Sequence, residues 1–412
     1  MIAFNTYRLK NGLRLLHYFD KNTQMVALNL LYDVGARDED PSATGLAHLF
    51  EHLMFTGSKH APSFDAALQA AGGSSNAWTS NDMTNYYETL PAHNVETAFW
   101  LESDRLRNLN LTDESIDTQK SVVIEEFKQR CLNVPYGDLH HISSDLAFKV
   151  HPYRWPTIGL RVEDIQNASH DAIKAFFASH YAVNNLILCV SGHVEFDRAV
   201  ALAEKWFGDF APVDIPVRNL PQEPVQCSQR FLSVKREVPQ NMIMMMYHMC
   251  GRGDADYQAC DMLSDVLSNG PSSRFYRNVM VKSGLFSELD ASVTGTHDPG
   301  LFLVRARLAD GVSFAKAQQA IDAELKDFLT TGATAYEMEK CANKYESTQL
   351  FDTITYEKKG VKLCQYELLG SAADINSEVG KYRSLTQEGL MTVAHKLFDP
   401  ANCSVLYYGP DA

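Results

Sequence analysis

No two of the eight cysteines stand in a C-x-x-C arrangement; Cys131, Cys189, Cys227, Cys250, Cys260, Cys341, Cys364 and Cys403 are scattered through the 412 residues. That scatter argues against a disulfide framework and reads as small buried hydrophobes in a reducing compartment. Basic residues are also short: 37 Lys and Arg against 51 Asp and Glu leave a net charge of −14, and no basic run exceeds the pair Lys358–Lys359. A nucleic-acid role is excluded, because it needs a basic patch to displace counterions from phosphates; basic peptides are the more natural partners. No apolar stretch reaches the roughly 18 residues a membrane helix requires. The N-terminus has no basic region followed by an apolar run and a cleavage site. It alternates like a strand, turns at Asn11–Gly12 and alternates again, so the expected address is the cytoplasm, or the periplasm if a signal peptide was removed.

What is present is a globular composition, 45% hydrophobic and 21% charged, in a chain long enough for two or more domains. The clearest interruption is the proline-rich Ala211–Gln226, read as a linker between a domain over 1–210 and another over 227–412. Either side of it the chain repeats itself. The stretches VALNLLYDVGARDEDP (Val26–Pro41) and NMIMMMYHMCGRGDADY (Asn241–Tyr257) are each an apolar strand, a polar turn and a helix start, with Tyr32 on Tyr247 and Arg37 on Arg252 at an offset of 215. Both halves end on Asn-led apolar strands closing at glycine, Val183–Gly192 and Ala401–Gly409. A repeat of this length means two copies of one domain, not a solenoid. Adjacent strand pairs such as SSNAWTS and TNYYETL, followed by long helical patterns, predict an α+β fold: in each copy a mostly antiparallel sheet with helices on one face. The helical pattern after Thr112 takes that residue as its N-cap.

In GLAHLFEHLMF (Gly45–Phe55) two histidines and a glutamate interrupt an otherwise apolar helix. His48 and His52, four apart, lie on one helical face and can hold a single zinc ion, while Glu51 is placed to act as general base on a water. A lone histidine in such a helix is more often a satisfied core residue. Two histidines and a glutamate are harder to bury, since an unpaired carboxylate among leucines costs several kcal/mol. The second copy is an internal control: at the same offset His48, Glu51 and His52 become Leu263, Val266 and Leu267. The fold therefore does not require polar side chains there, and the first copy carries something extra.

The pattern H-x-x-E-H is the inverted zinc-protease motif. Together with NGLRLL, GGSSNAWTSNDMTNYYETLP, SVVIEEF, HPYRWPTIG and NNLILCVSG, it makes the chain resemble the inverzincin peptidases: pitrilysin, insulin-degrading enzyme and the mitochondrial processing peptidase. It looks like a short bacterial-type chain, similar to the zinc-binding subunit of a heterodimeric member. The resemblance implies a zinc-dependent endopeptidase or oligopeptidase with one Zn2+ per chain and a third ligand on a later helix. Glu125 and Glu126 are adjacent candidates, and the family's V-V/I-x-x-E spacing, begun at Val122, selects Glu126. Seven residues earlier, where the family has a glutamate supporting the site, this chain has Gln119, which keeps hydrogen bonding and loses the charge. Asn76 and Ala77 match positions on an edge strand along which relatives hold an extended peptide by backbone hydrogen bonds. The plain alternative is that GGSSN is only a hairpin entry.

The resemblance fails at one place. Active members carry an Arg and, seven residues later, a Tyr in the second domain; the aligned segment Ser272–Ser292 has Met280 and Ser287 there. Donors to a developing oxyanion are worth about 10²–10³ in rate each, so the leading expectation is a homologous partner chain that supplies the pair in a heterodimer. Arg274 and Arg277 are nearby substitutes in sequence. A self-sufficient homodimer and a non-catalytic peptide-binding or scaffold subunit are the competing readings. His140, His141 and His151 are left as surface or core residues.

Overall fold

The computed structural model describes residues 1–412. Eleven strands form two sheets. The first runs β1 (Asn5–Arg8), β2 (Arg14–Phe19), β6 (Leu186–Gly192), β3 (Met25–Tyr32), β5 (Thr84–Pro91) and β4 (Ser74–Thr79), in that spatial order. The second runs β7 (Arg230–Lys235), β11 (Cys403–Gly409), β8 (Met242–His248), β10 (Leu301–Leu308) and β9 (Phe286–Val293). Apart from the extra β1, the two orders are the same, and in each sheet a single pair is parallel, β2 with β6 and β7 with β11. The fold is thus the duplicated α+β arrangement expected from sequence.

One side-chain device recurs with the duplication. Asn185 Nδ2 donates to the carbonyls of Asp33 (3.1 Å) and His180 (2.9 Å). Asn402 Nδ2 does the same to His248 (2.9 Å) and Leu397 (3.0 Å). The Asn that opens each final strand thereby ties it to the end of the central strand and to the preceding helix.

The chain divides into two compact units that do not follow a single cut. One contains Met1–Lys128, Trp155–Leu220 and Gln349–Asn376; the other contains Gln129–Arg154, Pro221–Thr348 and Ser377–Ala412. In the first, Val26, Leu28, Leu30, Tyr32, Tyr86 and Leu90 face the helices Leu46–Leu53, Val95–Asn108, Asp113–Phe127, His170–His180 and Phe196–Phe207. The opposite face, with Leu16, Leu31, Ile187 and Cys189, is covered by Leu363 and Cys364 of the helix Tyr356–Leu368, from the far end of the sequence. The second unit is built the same way, with Met242, Met244, Met246, Leu406 and Tyr408 under Leu146, Phe148 and Tyr153 in and after the helix Leu139–Ala147. Each sheet therefore buries both faces, which is why β3 and β8 are almost continuously apolar. Ala211–Gln226 has neither helix nor strand.

Truncating the borrowed helix at its most buried point tests this arrangement. Leu363, 0% exposed, replaced by alanine should cost about 2–4 kcal/mol in urea unfolding, with hydrogen-exchange protection lost first in β3 and β6.

Candidate metal centre

The helix Leu46–Leu53 starts at Gly45, whose φ of +91° is left-handed. A Cβ there would stand 2.8 Å from Ile165 Cδ1 and 3.0 Å from the Ile158 carbonyl, so only glycine fits. The first N–H groups of the helix are met by Glu39, whose carboxylate accepts from Gly45 N and Ala47 N, both at 2.8 Å. Burial pushes the Glu39 carboxyl up to about 8, against the pull of those two N–H groups. Leu49, Phe50 and Leu53 fasten the other side of the helix into the core, and Tyr86 Oη donates to the Phe50 carbonyl at 3.3 Å. What remains on the outer face is His48, Glu51 and His52.

A second helix, Asp113–Phe127, is capped by Thr112, whose hydroxyl accepts from Ser115 N, as expected. Its last turn brings Glu126 to the two histidines: Oε2 lies 3.7 Å from His48 Nε2 and 3.2 Å from His52 Nε2. The imidazoles stand nearly perpendicular, 81° apart with centroids at 4.9 Å, and one ligand atom from each residue lies within 4.8 Å of the others. Zn–N and Zn–O bonds of roughly 2.0–2.2 Å in a tetrahedron separate ligand atoms by about 3.4 Å. The spacing here suits such an ion, which His48, His52 and Glu126 would hold. Glu125 instead points outward and pairs with Lys128 at 2.6 Å.

Glu51 is held by a contact that the sequence did not disclose. Thr79 Oγ1, at the end of β4, donates to Glu51 Oε2 at 2.6 Å. Asn76 and Ala77 lie on the same strand, which is the open edge of the first sheet. Asn76 is exposed, and its Oδ1 accepts the Ala77 N–H at 2.8 Å. Gln119 lies half-buried two turns before Glu126. Thr79 and Glu39 lie in stretches that the sequence singles out, but neither residue is marked there as part of the site; their roles exist only once the sheet and the turn before the helix are assembled.

In the second unit Met280 ends the turn Phe275–Met280 and packs on that unit's core. Ser287, on β9, donates to Gln240 Oε1 at 3.0 Å. Arg274 is committed elsewhere: it pairs with Glu337 at 2.8 Å, donates to the Gly332 carbonyl at 2.6 Å and lies over the Phe328 ring at 4.8 Å. Arg277 is exposed.

The fold and the cluster together describe a duplicated α+β protein with an inverted zinc-peptidase motif. The family profile described as "Insulinase (Peptidase family M16)" matches residues 16–141, and the one described as "Peptidase M16 inactive domain" matches 167–345. The chain belongs to the M16 peptidase family, the family of pitrilysin. It is 27% identical over 409 residues to the zinc protease PqqE of Helicobacter pylori, covering 98% of this chain and 92% of that protein. It is 22% identical to YmxG of Bacillus subtilis, an uncharacterized zinc protease, over 95% of each chain. The crystal structure of a protease from Helicobacter pylori superposes with a TM-score of 0.93 at 26% identity, covering 99% of this chain and 100% of that one. Pitrilysin shares the fold at a TM-score of 0.81 and 17% identity, with 99% of this chain lying on 45% of that one. No helix is long and apolar enough to cross a membrane.

The Arg274–Glu337 pair yields a pH test. Burial raises the Glu337 carboxyl, but the Arg274 guanidinium and the Thr334 N–H and hydroxyl outweigh it and bring the group down to about 2. A carboxyl lower in the folded than in the unfolded chain, where it titrates near 4.3, contributes stability that is present above the unfolded value and lost as pH falls toward 2. In urea unfolding between pH 5 and about 2.5, Glu337→Gln should be the less stable chain at pH 5 and show a shallower acid loss than wild type.

Proposed function

We propose that this chain is a zinc-dependent peptidase that hydrolyses peptide bonds, and that it is the zinc-bearing subunit of a pair completed by a homologous chain. One observation carries the reading: two imidazoles and a carboxylate within 4.8 Å of one another, beside a second carboxylate, Glu51, that abuts the open edge strand β4. His48, His52 and Glu126 are the proposed ligands of one Zn2+. When bound, the ion supplies Lewis acidity toward a peptide carbonyl and lowers the pKa of a water.

The rest is done by protein groups. An extended peptide adds to β4 through main-chain hydrogen bonds, with Asn76 and Ala77 among the contacting positions, and this suits loose sequence preference. Glu51 accepts the proton of the attacking water as the carbonyl carbon becomes tetrahedral. It then delivers that proton to the amine nitrogen as the C–N bond breaks, which returns the carboxylate to its starting state. Gln119, where relatives carry a glutamate that supports the site, keeps the capacity to hydrogen-bond without adding a charge.

The partner follows from what the second unit lacks. Met280 has no donor, the Ser287 hydroxyl is given to Gln240, and Arg274 is already held by Glu337. The chain also spans only 45% of pitrilysin and 47% of the periplasmic protease PqqL of Escherichia coli, proteins with room for a second such half. A homologous subunit carrying the Arg and Tyr supplies the missing donors.

The purified chain should bind one zinc and turn over a quenched-fluorescent peptide slowly, with a gain of about 10²–10³ when the partner is added. Glu51→Gln should retain zinc and lose about 10²–10⁴ in kcat, while His48→Ala should lose the metal. Full turnover by a homodimer of this chain would overturn the partner, and zinc-loaded turnover indifferent to Glu51→Gln would overturn the peptidase reading.

A further inference from the structure

We infer that Thr79 is a positioning residue that sets the Glu51 carboxylate against a peptide lying on β4, so that substrate docking and base orientation are referred to one residue. The inference deepens the peptidase reading and rests on it. Three observations carry it. The hydroxyl of Thr79 donates to Glu51 Oε2 at 2.6 Å.

The strand parity places the backbone of the same residue on the open edge. Ser80 N bonds back into the hairpin, to the Met83 carbonyl at 2.9 Å, whereas Ala77 N is taken by the Asn76 side chain. In an antiparallel ladder the N–H and C=O of one residue point to one side and alternate along the strand. Ser75, Ala77 and Thr79 thus present their main-chain groups to the edge where a peptide would add. Thr79 is the member of that series whose side chain touches the base.

The end of β4 that carries Thr79 is also its anchored end. Ala36 N and Arg37 N donate to the carbonyls of Ser80 and Asn81, at 3.1 and 2.9 Å. The Arg37 guanidinium pairs with Asp82 at 3.1 Å. A Cβ at Gly35 would stand 2.5 Å from the Asn81 carbonyl oxygen, so the two backbones touch only because that residue is glycine. Opposite Thr79 in the ladder, Thr84 donates its hydroxyl to the Val34 carbonyl at 2.9 Å. A hydroxyl on so fixed a mount holds a carboxylate in one orientation; the outward residues Ser75 and Ala77 have no comparable contact with the motif helix.

The test compares Thr79→Val, which removes the hydroxyl at nearly constant shape, with Thr79→Ser, which keeps it. Both are assayed zinc-loaded on a quenched-fluorescent peptide, with the partner chain present if the chain alone is slow. Thr79→Val should lower kcat about 10–100-fold with KM within about twofold and zinc content unchanged, and its crystal structure should show Glu51 rotated from its present position. Thr79→Ser should retain most of kcat. Unchanged kcat in Thr79→Val, an effect on KM alone, equal losses in both variants, or loss of zinc in either would overturn the inference. Turnover that depends on Glu51 but not on Thr79 sinks this inference alone, whereas turnover independent of Glu51 sinks the peptidase reading beneath it.

Discussion

The constraint on which the structure depends is burial of both faces of the central strands. In β3, Val26, Leu28, Leu30 and Tyr32 enter one core while Leu31 enters the other. Asn29, on the second face, is buried against Asn85, whose amide donates to it at 2.9 Å. A strand of this kind is stable only between two apolar layers. The helices next to it in sequence supply one layer; the other comes from Tyr356–Leu368 in the first unit and from Leu139–Ala147 in the second. Those two helices stand at nearly the same place in the two halves of the sequence, so the duplication and the exchange are one design.

A site built on that scaffold inherits its rigidity. Its histidines project from a helix fixed at its start by Glu39 and Gly45, along its length by Tyr86, and on its inner side by Phe50, which stacks on Phe176 and Phe177 with centroids at 5.6 Å. The third member of the cluster, Glu126, comes from a separately capped helix, and Glu51 is steadied by a strand. Two helices and one strand of the same compact unit therefore fix the relative positions of His48, Glu51, His52 and Glu126. Side chains held this way have little freedom left to lose, which is the physical meaning of a preorganised site.

Much of this was legible in the residues. The i, i+4 spacing fixes His48 and His52 on one face, and the offset to Leu263, Val266 and Leu267 shows that the fold has no need of them. The strand and helix patterns yield the duplicated α+β class. Family spacing alone selects Glu126 over Glu125, and the structure puts Glu126 beside the histidines and Glu125 beside Lys128. The helix exchange had a signal that periodicity does not interpret: the apolar run Met25–Tyr32, broken only by Asn29, and the unbroken run Met242–Tyr247 say that both faces are covered without saying by what. Nothing in the stretches that hold Thr79 and Glu39 marked their individual roles, since a threonine in a strand and a glutamate in a turn acquire meaning only from what folds against them.

The second copy shows what the first gives up to keep its site. Leu263, Val266 and Leu267 are each 0% exposed and sit in one continuous core. At the matching positions the first copy leaves His52 and Glu51 only half-buried and His48 against the Glu126 carboxylate. Three side chains that could each bury a full apolar surface, at roughly 1.5–3 kcal/mol apiece, are replaced by groups that must find polar partners. The first unit meets that deficit with Glu126 and Thr79, and an ion among the ligands would meet more of it. The same geometry that makes the cluster a candidate metal site thus makes it the place where a bound ion would couple most directly to folding of the first unit.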